Sequence, residues 1–345
     1  MKLKAAILER LNAPLVLDEI EVPNLECGQV LVQVHRTSIC GAQLNEISGT
    51  KGDDKFLPHL LGHEGGATVL QVGPGVTQVK KGDPVVLHWR KGAGIHAATP
   101  KYNWNGRTVN AGWVTTFSEA AIVSENRVTA IPKDIPFEIA ALMGCVVTTA
   151  LGLINNLAQL KIGQSIAVLG CGGVGLCVVQ GAAMVSANPI IAIDIQKQKL
   201  AMAREFGATH VIDTAQSDLR DEIRKIVGPR GVDVFVENTG VVKLIEKAYE
   251  LTSPQGRTIL VGVPRHDQDI TIHSLPLHFG KVLTGCEGGN TEPGSDIPRY
   301  LRLYQSGKLP LDRIITHRAP FANINSALDQ VRAGEVGRFM LEMPS

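Results

Sequence analysis

The chain has 345 residues, enough for two domains with real interiors. Its 34 lysines and arginines nearly cancel its 33 acids, leaving a net charge of +1 and no basic stripe, which argues against a nucleic-acid partner. Six cysteines in a chain of this length make no disulfide framework, so thiol or metal-ligand roles are expected.

The opening, MKLKAAILERLNAPLVLDEI, interrupts its apolar residues with charges and a proline, unlike a signal peptide. No apolar stretch reads as a membrane span, so a cytoplasmic protein acting on a small molecule is expected. Up to about residue 146, short alternating runs such as QVLVQVHRT, GATVLQVGPG and GDPVVLHW are broken by Gly, Pro and Asp. That pattern predicts a distorted, mostly β domain over 1–146. Within it, SICGAQLNEISGT puts Cys40 in a glycine-flanked turn, and GHEGG sets His63 and Glu64 between glycines. MGCVVTTA then carries Cys145 at the entry to the next domain. Each alone is a weak signal, since a lone cysteine is usually a small buried hydrophobe and a lone histidine a satisfied core residue. Together, two cysteines and a histidine suit an open zinc site whose fourth position takes a water or substrate oxygen. Their wide separation leaves both readings open.

From 147 the texture changes. QSIAVLG reads as a buried strand, GVGLCVVQGAAMV as a helix, PIIAIDI as a strand, and KQKLAMAREFG as a helix ending at Gly207. THVIDT, VDVFVENTG, RTILVGV and KVLTGC read as further strands. The alternation predicts an α/β domain with a doubly wound parallel sheet over 147–287. VLGCGGVG sets Gly170, Gly172 and Gly175 as G-x-G-x-x-G, with Gly173 and Val174 between them, and Asp194 ends the next strand 19 positions after Gly175. Strand, glycines, helix and acid together form the context for a dinucleotide pyrophosphate on a helix N-terminus. Asp194 is expected on the adenosine ribose hydroxyls, where its charge opposes the extra phosphate of NADP and favours NAD. Residues 288–345 hold two helical patterns, DIPRYLRLYQSG and INSALDQVRAG, and a strand, RFMLEM, expected to return to the first domain.

The order and spacing of SIC, LGHEGGATVLQVGPGV, GCVVTTALG, GCGGVGL, LVGVP, ITH and GRFML resemble the zinc-dependent medium-chain alcohol dehydrogenases over nearly the whole chain. The resemblance implies a GroES-like catalytic domain wrapped around a Rossmann domain, in a homodimer or homotetramer. It implies that Cys40, His63 and Cys145 bind one catalytic Zn2+, with Glu64 as neighbour or alternate ligand. It also implies Lys199 beside Asp194 at the ribose, Arg338 on the pyrophosphate, and Val261, Val263 and Cys286 at the nicotinamide carboxamide. Thr149 is implied against the nicotinamide ring, and Trp89 and Gln43 on the substrate side, Gln43 also lying beside the metal histidine.

Departures from that pattern sharpen the expectations. Relatives commonly read Cys-x-Ser/Thr-Asp where this chain has Ala42 and Gln43, and Asn45 stands where many have a relay histidine. Ala42 has no proton to give, and Gln43 can accept a hydrogen bond from His63 but carries no charge. His59, in FLPHLLGHE, is either a proton exit or a packed residue. Residues 88–113 lack the closely spaced cysteines of many relatives, so no structural zinc is expected there. Trp89, Tyr102, Trp104 and Trp113, with Arg90, Lys91, Lys101 and Arg107, suit a polar, anionic or sugar-like substrate or a loop with anchoring aromatics. The expected activity is NAD-dependent interconversion of an alcohol with an aldehyde or ketone. Two alternatives stand beside it: NAD recycled within an elimination or epimerisation, and a non-catalytic nucleotide-binding protein.

Overall fold

The structure, a computed structural model, describes residues 1–334 and 337–344. The chain forms two compact units, Met1–Thr148 together with the chain from Glu292 onward, and Thr149–Thr291. The sequence reading draws these borders at 146/147 and 287/288. The first border falls inside the continuous helix Val146–Gly152, where no turn signal marks it.

The first unit is built from a barrel and a sheet. The closed barrel is formed by Lys2–Leu8, Val16–Glu21, Lys101–Trp104, Arg107–Asn110 and His59–Leu60. The sheet runs Val128–Ala130, Pro84–His88, Glu64–Val72, Gln29–Ile39, Arg338–Glu342 and Ile315–Pro320, and Ala120–Ser124 also pairs with Gln29–Ile39. Gln29–Ile39 serves both cores. Val30, Val32 and Val34 join one apolar cluster, while Leu31 joins the barrel interior, as the strand's two-residue period requires.

The aromatic lobe is part of the barrel. Asn105 and Gly106 both have positive φ, 51° and 84°, and join the two barrel strands Lys101–Trp104 and Arg107–Asn110 as a two-residue hairpin. Tyr102 and Trp104 are buried in the barrel core. The Tyr102 hydroxyl accepts from the Ile122 N–H (2.8 Å), and the Trp104 indole donates to Asp18 (2.8 Å). These two rings therefore anchor the barrel rather than line a pocket mouth. Trp113 stays 42% exposed and packs against His96 in a tilted arrangement, with ring centroids 4.7 Å apart.

The second unit is a six-stranded parallel sheet in the order His210–Asp213, Ile190–Asp194, Ile166–Leu169, Val232–Glu237, Thr252–Leu260, Val282–Gly285. Starting at the middle and reversing direction is the doubly wound pattern, whose strands feed ligand sites at their carboxyl ends. Local chemistry sets the helices between. Asp218, for instance, caps Leu219–Val227 by accepting from the Arg220 and Asp221 N–H groups, and Gly228 ends it with φ +77°. No single helix among the described residues is long and apolar enough to cross a membrane.

Candidate active site

Three elements of the first unit bring the metal-type donors together. Cys40 follows the strand Gln29–Ile39 and opens the helix Gly41–Ile47. His63 immediately precedes the strand Glu64–Val72, and Cys145 lies between the helices Phe137–Met143 and Val146–Gly152. Gly144 makes the last approach possible, because an added Cβ there would run into the Leu87 carbonyl oxygen and lie 2.7 Å from Glu64 Cβ. One donor atom from each of Cys40, His63 and Cys145 falls within 4.8 Å of the other two. His63 Nε2 is buried with no hydrogen-bond partner. A buried, partnerless imidazole nitrogen facing two thiols fits a zinc ion, whose preferred donors are thiolate and neutral imidazole.

Electrostatics within the trio point the same way. The hydrogen bond from the Cys145 thiol, then the charges of Arg338 and His63, hold Cys40 well below the ordinary thiol range. The same bond to Cys40, with burial, pushes Cys145 well above it. Burial works against a charge on His63, but Cys40 outweighs it and raises the imidazole. Two sulfurs and an imidazole thus share protons that a divalent metal would displace.

Around the trio lies a polar frame. Gln43 is 1% exposed; its Oε1 accepts from the Cys40 N–H (2.8 Å), and its Nε2 lies 2.5 Å from His63 Nδ1. Its amide is therefore occupied at both ends and braces two of the donors, instead of facing a substrate. Glu64 is fully buried and stands outside the donor trio. Its Oε1 receives the Ser38 hydroxyl (2.5 Å) and pairs with Arg338 Nη2, while Oε2 receives the Val146 N–H (3.4 Å). The expectation of Glu64 as an alternate ligand meets a carboxylate already committed to a guanidinium. Arg338, expected on a pyrophosphate, is 4% exposed in the first unit and also donates Nε to Ser38 Oγ (2.8 Å). The antiparallel register Phe339↔Ile39 sets it there. Burial opposes its charge, but Glu64 and the two thiols hold it above the ordinary arginine range. Ser38 carried no signal in the sequence; its place beside Glu64 follows only from strand pairing.

Trp89 is half-buried against the main apolar cluster, and its carbonyl accepts from Arg127 Nη1 (2.5 Å). Its neighbour His88 is buried between the Arg90 carbonyl (2.8 Å from Nδ1) and Thr129 Oγ1 (2.9 Å from Nε2). Burial pushes this imidazole down to about 4. The unfolded chain therefore binds a proton that the native chain refuses between the ordinary histidine value and about 4, and stability falls as pH falls through that window. The loss between pH 7 and pH 5 should be about 2 kcal/mol. His88→Gln should remove most of it, as urea unfolding at the two pH values would read. An equal loss in the variant would show that His88 is not the group responsible.

The second unit carries the glycine loop. Gly170 has φ +90°, and a Cβ on Gly175 would run into the Gly170 carbonyl oxygen, so the turn tolerates no side chain at Gly175. A Cβ on Gly172 would meet nothing within 4 Å. That open space lies at the start of Gly173–Met184, a helix without a side-chain cap, whose first N–H groups suit phosphate oxygens. Val174 lies in the same first turn. Asp194 ends its strand with Oδ2 accepting from the Cys171 N–H (2.7 Å) and Oδ1 from those of Ile195 (2.8 Å) and Gln196 (2.9 Å). Lys199 sits on the following helix, near enough for its charge to act on Cys171. Val261 follows the strand Thr252–Leu260 and donates its N–H to the Glu237 carbonyl (2.7 Å), with Val263 exposed beyond it. Cys286 follows Val282–Gly285 and donates its N–H to the Leu260 carbonyl (2.8 Å). Thr149 is buried in the helix Val146–Gly152. Except for Arg338, every expected cofactor residue belongs to this unit. The glycine loop fits a dinucleotide on the evidence of its open cradle.

Comparison with known proteins agrees with both halves. The family model described as "Alcohol dehydrogenase GroES-like domain" matches residues 26–133, and "Zinc-binding dehydrogenase" matches residues 173–306. The chain is 31% identical to the alcohol dehydrogenase class-P of Arabidopsis thaliana, over 99% of this chain and 98% of that protein. It is 32% identical to the S-(hydroxymethyl)glutathione dehydrogenase of Aspergillus oryzae, over 99% and 96%. Among solved structures, an alcohol dehydrogenase zinc-binding domain protein from Burkholderia ambifaria superposes over the full length of both chains with a TM-score of 0.91 at 27% identity. A chain with this two-part fold and these likenesses is an oxidoreductase, and it belongs to the zinc-dependent medium-chain alcohol dehydrogenase family.

Proposed function

We propose that this enzyme interconverts an alcohol with an aldehyde or ketone, with NAD as the hydride carrier and one catalytic zinc per chain. The observation that carries the reading is the convergence of Cys40, His63 and Cys145 on one point, with His63 Nε2 left without a partner. Three protein donors leave a fourth position for substrate oxygen, as catalytic zinc sites do. When bound, zinc would supply Lewis acidity to a substrate oxygen held by Cys40, His63 and Cys145, and NAD would supply the hydride chemistry.

The chain's own residues bind and orient. Gln43 fixes the His63 ring and the Cys40 backbone, and the Glu64–Arg338 pair holds the strand ends behind them. The glycine loop and Asp194 receive the pyrophosphate and ribose, with Lys199 beside them. Val261, Val263, Cys286 and Thr149 take the nicotinamide end, and Trp89 the substrate side. The substrate proton finds no ready acceptor. Ala42 and Asn45 offer none, and His59 has Asp54 Oδ2 2.8 Å from Nε2 and the Leu60 carbonyl 2.9 Å from Nδ1. The proton leaves through water or through the substrate's own polar groups, which favours a polar substrate. The likeness to a dehydrogenase of S-(hydroxymethyl)glutathione supports the same class.

The missing relay also favours a second reading, in which NAD is reduced and reoxidised within one elimination or epimerisation. A screen of polar and simple alcohols for stoichiometric NADH formation separates the two. Net NADH with at least one alcohol supports the first reading. Product formation without net NADH supports the second. The homodimer or homotetramer reading gains support from the sheet edge at Val282–Gly285, preceded by the exposed Leu275 (54%), Leu277 (38%) and Phe279 (70%).

A further inference from the structure

The parallel register sets Asp213, the last residue of its strand, opposite Asp194, the last residue of the next. Residues in register on neighbouring parallel strands project to the same face, with strands about 5 Å apart. The two aspartates are therefore register partners at the carboxyl end of the sheet, where an α/β fold receives its ligand, with the Asp194 carboxylate turned toward the Cys171 N–H on the far side of its strand. They are not equivalent. Asp194 is held by three backbone N–H groups, whereas Asp213 Oδ1 receives a single one, from Ala215 (3.0 Å). Neither carboxylate is in an ion pair among the described residues. Both charges therefore remain available to act on a ligand. The sequence singles out Asp194 alone, because only the residue on the strand after the glycine loop belongs to the motif.

We propose that Asp213 is a second determinant of cofactor choice, forming with Asp194 a two-carboxylate wall that rejects a phosphate on the adenosine ribose. The inference rests on the NAD reading above and adds a residue and a mechanism to it. The effect is electrostatic. A carboxylate about 6 Å from a phosphate in a half-solvated site changes affinity about tenfold. Neutralising Asp194 alone therefore leaves a substantial barrier to NADPH, even with Lys199 nearby to attract the phosphate. Neutralising both removes it.

The test is fluorescence titration of the zinc-loaded enzyme with NADH and NADPH, for the unmodified chain, Asp194→Asn, Asp213→Asn and the double variant. Asparagine keeps an acceptor for the Ala215 N–H and removes only the charge. Asp213→Asn should tighten NADPH about tenfold while leaving NADH within about twofold, and the double variant should tighten NADPH about a hundredfold. The gain should shrink as salt is raised, because screening already weakens the repulsion in the unmodified chain. Asp213→Ser, run in parallel, should show the same selective gain and covers a failure of the asparagine variant to fold. If the unmodified enzyme prefers NADH and Asp213→Asn leaves NADPH affinity unchanged, or shifts both ligands equally, the proposal is overturned while the NAD reading stands. A preference of the unmodified enzyme for NADPH overturns both.

Discussion

Cys145→Ser should purify with less than about a tenth of the zinc of the unmodified enzyme and lose its dehydrogenase activity, while NADH binding stays within about twofold. A serine hydroxyl stays protonated near neutrality and gives the metal neither charge nor a soft donor. Removing a group that only supports a ligand costs 10–100-fold in metal affinity. Loss of a ligand from a set of three should cost at least the upper end of that range, about a hundredfold. The dinucleotide loop belongs to the other unit, so its affinity is the internal control. Metal analysis and NADH titration on one preparation read both. A variant that keeps full zinc would remove Cys145 from the ligand set, and one that loses NADH binding as well would be misfolded at the glycine loop.

Gln43→Glu should bind zinc about tenfold more tightly, yet be less stable than the parent when stripped of metal. An amide has one acceptor atom, and here the Cys40 N–H occupies it. Gln43 therefore meets His63 Nδ1 through its NH2 group, and the ring proton is driven to Nε2, the nitrogen a metal would need. A carboxylate of the same length accepts from both neighbours. It fixes the proton on Nδ1 and frees Nε2. Without metal, the same carboxylate is a buried charge whose one partner for ion pairing is the His63 ring, itself opposed by burial, since Gln43 is 1% exposed and Arg338 is committed to Glu64. Chelator competition would read the affinity, and urea unfolding with and without chelator the stability. Ala42→Ser acts at the neighbouring position and addresses turnover rather than affinity. Unchanged zinc affinity in Gln43→Glu would mean that the amide does not set the ring tautomer.

Much of this site was legible in the chain because its signals are local. The glycine loop announces itself within six residues, and the strand and helix around it follow from hydrophobic period alone. The trio Cys40, His63 and Cys145 was visible as residue types, but only folding brings their donors within 4.8 Å. Arg338 shows where local reading stops. Its sequence neighbourhood resembles a pyrophosphate contact, and the pairing Phe339↔Ile39 places it on Glu64 instead, 274 residues away in sequence. Asp213 was missed for a related reason, since strand register rather than spacing sets it beside Asp194. Two misses had signals within reach. Asn105-Gly106 is the two-residue hairpin pair that predicts the buried Tyr102 and Trp104 on its flanking strand. Gln43, three residues after Cys40, is the glutamine of a capping box whose side chain reaches back to the N–H of the N-cap residue Cys40.

The central claim is a metal centre made by Cys40, His63 and Cys145, and X-ray absorption at the zinc edge tests it most directly. The account predicts one zinc per chain with two sulfur neighbours at about 2.3 Å and two lighter neighbours, one of them an imidazole nitrogen, at about 2.0–2.1 Å. A spectrum with four sulfurs, one with no sulfur, or a purified enzyme that is active without zinc would contradict it.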